Sequence, residues 1–162
     1  MICWTLNGCA MRKRVVLMVA VLAFAAGWAI RGQAQPGRQA GLIDPNMATE
    51  QQLAALPGLN AALIKTLIER RPFLGITDLD ALLNKSLSKQ QLAELYAKMF
   101  LQINLNTASE AEILLIPGIG PRMVREFKEY RPYRTIEQFR REMGKYVSEK
   151  EVARLERYVT VN

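Results

Sequence analysis

Past residue 42, apolar residues recur every three or four positions, as in "LIKTLIERRPF" (63–73) and "MVREFKEYRPY" (123–133). Alternation with a period of two is scarce. The spacing predicts short amphipathic helices and an all-α fold. Polar residues punctuate the pattern at helix starts. Thr49-x-x-Gln52 and Ser109-x-x-Glu112 read as capping boxes opening a first helix, and Ser88-x-x-Gln91 and Ser148-x-x-Glu151 as boxes opening a fourth. Thr77-x-x-Asp80 and Thr135-x-x-Gln138 mark a third. The second helix runs from about Ala61 to Arg71, and again from about Pro121 to Arg131. It stops where Pro72 or Pro132 removes an amide donor and restricts the residue before it.

The paired positions of the first, second and fourth helices lie sixty residues apart. Residues 43–102 align without a gap on 103–162, with fourteen identities that include Asn46/Asn106, Pro57/Pro117, Gly58/Gly118, Arg71/Arg131 and Pro72/Pro132. Other positions exchange one apolar residue for another, such as Leu67/Phe127 and Leu79/Phe139. A match of this length means a duplicated supersecondary unit of four short helices. A unit this small buries little by itself, and the pattern leaves open whether the copies pack together. Asn46 and Asn106 read as turn or cap residues that fix the start of each unit.

Upstream the pattern changes. "MRKR" (11–14) precedes the sixteen-residue apolar run "VVLMVAVLAFAAGWAI" (15–30), and "GQAQ" (32–35) offers small residues for cleavage after Ala34. Residues 1–35 therefore read as a secretory signal, or as an uncleaved N-terminal anchor slightly short of the roughly 17–25 residues of a spanning helix. Both readings place the rest outside the cytoplasmic membrane, in the periplasm or an equivalent space. Residues 36–42 would be a linker, and any membrane contact would come only through the leader.

Charge adds less than its total of +7 suggests, because Arg12, Lys13, Arg14, Arg31 and Arg38 sit in the first 41 residues without an acid. The first unit is balanced, and residues 102–162 carry eleven basic against nine acidic side chains. Cys3 and Cys9 lie upstream of Ala34, and the chain has no histidine. Beyond the leader this excludes disulfides, thiolate metal sites, Ser-His-Asp triads and Cys-His pairs. No carboxylate pair stands out, so neither catalysis nor a metal or cofactor is expected.

One segment interrupts its helical surroundings: "LLIPGIGPRMV" (114–124). Gly118 and Gly120 would both supply the conformational freedom for a tight reversal, Ile119 would pin the turn to the core, and Pro121 suits the first helical position. The amides of Gly118, Ile119 and Gly120 would then face outward at a helix N-terminus, a setting that favours an anionic oxygen. Arg122 and Arg125 can reach the same anion. The first copy, "AALPGLNAALI" (54–64), is blunted. Gly58 is kept, Asn60 replaces the second glycine on the strength of its tolerance for the left-handed region, and Ala61 and Ala62 replace Pro121 and Arg122. Only Lys65 remains, aligned with Arg125.

The apolar-Pro-Gly-apolar-Gly-Pro-basic pattern, preceded by "NLNTASEAEIL" (104–114) and followed by "YRPYRTIEQF" (130–139), resembles the helix-hairpin-helix domain. More narrowly it resembles the exported competence DNA-receptor (ComEA-like) proteins. The likeness covers both units, and it implies non-catalytic, sequence-independent DNA binding through hairpin amides, in DNA uptake. It also implies a second hairpin in each unit. The aligned stretches there, Ser86 to Lys89 and Tyr146 to Glu149, carry no glycine, leaving Lys145 and Lys150 as additional DNA-contact candidates. The Arg-rich run "FRREMGK" (139–145) reads as a DNA stripe or a solvated face, and Tyr130 and Tyr133 as core or as base-stacking residues. The alternative is an envelope module on the same fold that binds protein partners instead of DNA, as an extrinsic photosystem subunit of similar fold does.

Overall fold

The computed structural model describes residues 38–39 and 41–161; the leader and its cleavage site lie outside them. After a short antiparallel pair, β1 (Arg38–Gln39) and β2 (Leu42–Ile43), come α1 (Glu50–Ala54), α2 (Ala61–Glu69), α3 (Ile76–Leu83) and α4 (Lys89–Tyr96). Then follow β3 (Ile103–Asn104), α5 (Glu110–Leu114), α6 (Pro121–Glu129), α7 (Ile136–Met143), α8 (Glu149–Glu156) and β4 (Val159–Thr160). Every helix of the first set recurs sixty residues later with the same length. The fold is mostly helical, and its strands are two-residue clasps.

The clasps close each set of helices on itself. The Ile43 amide donates to the Lys98 carbonyl at 2.8 Å, and the Phe100 amide returns to Ile43 at 3.1 Å. Sixty residues on, Ile103 donates to Tyr158 and Leu105 to Thr160, both at 2.9 Å, within the parallel β3–β4 pair. Start and finish of each unit are thereby tied, and its apolar stripes turn inward. Leu53, Leu67, Leu79, Leu83 and Leu95 are fully buried, and so are their counterparts Ile113, Phe127, Phe139, Met143 and Leu155. The larger side chains of the second set form an aromatic group, with Phe127 edge-on to Phe139 at 5.2 Å and Tyr133 to Phe139 at 5.9 Å. Contacts of this kind add about 0.5–1.5 kcal/mol each beyond area burial.

Both sets belong to one compact body, Ala34–Asn162. The Phe100 ring stands edge-on to Tyr158 at 4.9 Å, α3 lies against α5, and Arg157 donates to the Gly41 carbonyl at 3.0 Å. The open question of packing is thus answered by a continuous core.

Asn46 and Asn106 do more than shape a local turn. Each reaches 27 residues along the chain and clamps the backbone after the second helix. Asn106 Nδ2 donates to the Tyr133 carbonyl at 2.9 Å while its Oδ1 accepts the Tyr133 amide at 2.7 Å. Asn46 holds Phe73 in the same two-bonded way. Helices α2 and α6 end two residues earlier than the prolines suggested, with Arg70 and Tyr130 as C-caps. Their last residues are recruited into the loop that the asparagines hold.

Three capping boxes are complete, at Thr49/Gln52, Ser88/Gln91 and Ser109/Glu112. The others differ from expectation. Helix α3 starts at Ile76 with Gly75 as N-cap, so Thr77 is already inside it. At α7, Thr135 accepts from the Gln138 amide, but the Gln138 side chain turns to the Arg134 amide instead. At α8, Ser148 accepts from the Glu151 amide without the return bond.

Candidate functional site

Between α5 and α6 the chain reverses through Pro117, Gly118, Ile119 and Gly120. One residue needs the left-handed region, and it is Gly118, at φ +80°. Gly120 was expected to share that role. It is instead the extended N-cap of α6, at φ −112° and ψ 171°, a conformation open to any residue. Asn60 likewise sits at φ −100°, outside the left-handed region. Its side chain accepts the Leu63 amide at 2.9 Å, so it serves α2 as an N-cap.

The amides around the reversal divide clearly. Ile119 donates to the Ile116 carbonyl at 3.1 Å, which removes it from the anion-binding set proposed from sequence; its side chain packs against the core. The Val124 amide closes the first helical turn onto Gly120 at 3.2 Å. Among the described residues, the amides of Gly118, Gly120, Arg122 and Met123 have no protein acceptor. Pro121, at the first helical position, has none to satisfy. Gly118, Gly120 and Arg122 are exposed, and a Cβ added to Gly120 would meet nothing within 4 Å. The donors of Gly118, Gly120 and Arg122 belong to exposed residues at the positive end of α6.

Arg122 and Arg125 flank them from the first turns of α6, beside a shallow hollow lined by Glu110, Leu114, Pro121 and Val124. Both are exposed, and neither has a carboxylate partner among the described residues. That sets them apart from five other cations of the second unit. Lys128 is paired with Glu110, Arg140 with Glu156, Arg141 and Lys145 with Glu142, and Arg154 with Glu151. The "FRREMGK" run is therefore largely neutralised in place. Lys145 is committed twice, since its ammonium also lies 5.0 Å from the Tyr130 ring centre. Lys150 is exposed near the start of α8 without a carboxylate partner among the described residues.

The other reversals are built differently. In the first unit Gly58 has φ +79°, but the Leu63 amide is capped by Asn60, and Lys65 faces Glu69 at 3.9 Å. Between α3 and α4, the amides of Ser86 and Leu87 return to Leu83, and Ser88 donates to Gln91. Between α7 and α8, Lys145 returns to Glu142, and Tyr146 and Val147 return to Met143. Gly144 is an αR C-cap, not a left-handed turn residue. Tyr133 is buried, whereas Tyr130 is partly exposed with its hydroxyl 2.7 Å from that of Tyr146. That hydrogen bond raises the Tyr146 phenol well above its ordinary range.

Sequence reasoning passed over one cation at the hairpin. Arg154 of α8 lies over Gly118, with its Nη2 3.6 Å from where a Cβ would stand. Glu151 holds it in a two-bonded pair at 2.9 and 2.6 Å, which raises the guanidinium's pKa and lowers that of the carboxylate. A signal was present in the repeat, because the position aligned with Arg154 is Glu94. Comparison with protein-family models, curated proteins and solved structures finds no match.

Proposed function

We propose that the chain is a non-catalytic protein of tandem helix-hairpin-helix units that binds the phosphate backbone of duplex DNA without reading sequence, outside the cytoplasmic membrane, in DNA uptake. The observation that carries this reading is the second-unit hairpin, where four amides without a protein acceptor among the described residues open the helix that carries the unpaired Arg122 and Arg125. Backbone donors at a helix start suit phosphate oxygens, and arginine adds charge-assisted bonds. Such contacts orient DNA but carry no base information. With Arg122 and Arg125 as the main cations, the log–log salt dependence has a slope of roughly −2 to −3, and affinity is micromolar or weaker.

The test is a gel shift of duplex DNA with the full chain at low salt. The double variant Gly120→Val, Arg122→Ala is expected to lose the shifted band while keeping the parent's circular dichroism. Undiminished binding by that variant would remove the hairpin from consideration.

A second reading rests on a separate observation. Among the described residues the first-unit hairpin also has free amides, at Gly58, Asn60, Ala61 and Ala62, but Ala61 and Ala62 stand where the second unit has Pro121 and Arg122, and Leu74 is 92% exposed where the second unit has Arg134. That asymmetry suits an envelope protein-interaction module. A stoichiometric protein captured from an envelope extract, with no DNA retained, would favour it.

A further inference from the structure

The unfinished capping box at α8 and the cation over Gly118 are one arrangement. In α1, α4 and α5 the third helical residue returns its side chain to the N-cap amide, closing the box. In α4 this is Gln91 accepting from the Ser88 amide at 2.9 Å. The aligned residue of α8 is Glu151, whose carboxylate holds Arg154 instead. The Ser148 amide is left without an acceptor among the described residues. Glu151 thus has two sites within its own helix turn. One is the Arg154 guanidinium, and the other is the amide that its counterpart occupies.

Resting on the phosphate-binding reading above, we propose that Arg154 is a third phosphate ligand of the second-unit hairpin, held in reserve by Glu151 and released when an anion arrives. A phosphate oxygen at the amides of Gly118 and Gly120 lies within the guanidinium's neighbourhood, since Arg154 already stands over Gly118. As Arg154 turns to phosphate, Glu151 swings back to the Ser148 amide and completes the box. No charged group is stranded in the exchange. One charge-assisted pair replaces another, and an unsatisfied donor gains an acceptor. Glu94 at the aligned position would repel phosphate, so the same device sets the second unit apart from the first. In the free protein the Arg154–Glu151 pair keeps the hairpin's local charge low.

The experiment measures duplex DNA binding by the full chain across a salt series, together with exchange of the Ser148 amide with and without DNA. Arg154→Gln is expected to flatten the salt slope by about 0.9, the loss of one phosphate contact. Glu151→Gln, which installs the first unit's own capping residue, is expected to tighten binding about two- to five-fold, the scale of a partly exposed ion pair that no longer competes. DNA is expected to protect the Ser148 amide in the parent. An unchanged slope for Arg154→Gln, an untightened Glu151→Gln or an unprotected Ser148 amide overturns the proposal. If Arg122→Ala still weakens binding in that case, the hairpin reading survives. A parent chain that does not bind DNA overturns both.

Discussion

Gly118 and Gly120 stand two residues apart and answer to different demands. Gly118 carries the left-handed turn, so Gly118→Ala should cost about 1–2 kcal/mol of unfolding free energy. Gly120 is an extended N-cap facing open space. Gly120→Asn copies the first unit: its side chain should cap the Met123 amide and raise stability by a few tenths of a kcal/mol. The same cap withdraws a donor from the anion site, so DNA affinity should fall while the denaturation midpoint rises. Parallel changes in the two quantities would contradict this account. Asn106 makes an equally specific demand. Asn106→Ala leaves both the amide and the carbonyl of Tyr133 without partners and should cost about 1–3 kcal/mol in urea denaturation.

Among the helices, α7 and α8 are laced by carboxylate pairs. Arg154 bonds draw the Glu151 carboxyl below its ordinary range, and Arg140 does the same to Glu156. Depressed carboxylates contribute stability that is fully present above their unfolded pKa and lost as pH falls through the lower folded value. Urea midpoints should therefore be flat from neutral pH down to about pH 5 and decline toward pH 3. The pairs are partly exposed, so the decline should be modest and smaller still in high salt. A midpoint that rises on acidification would show that these pairs do not support the fold. Helix α6 differs, because among the described residues its Arg122 and Arg125 have no such partners and remain available to a ligand.

For the whole molecule, helix positions, the duplication and the location of the hairpin were legible because they depend on local rules. Apolar spacing, a proline after the second helix and serine or threonine caps act within a few residues, and the sixty-residue offset repeats them. What stayed hidden depends on residues distant in sequence. The reach of Asn106 to Tyr133, the contact of Phe100 with Tyr158 and the placement of Arg154 over Gly118 arise only once the two-residue clasps close each unit. Hydrogen-bond accounting is of the same kind. The sequence pattern put the amides of Ile119 and Gly120 in one outward-facing set and gave Asn60 a left-handed turn, but the packed chain gave each a separate partner or none. A residue's type states which bonds it is able to form; folding selects which of them it makes, because each donor finds its acceptor only among the groups the core has already brought near.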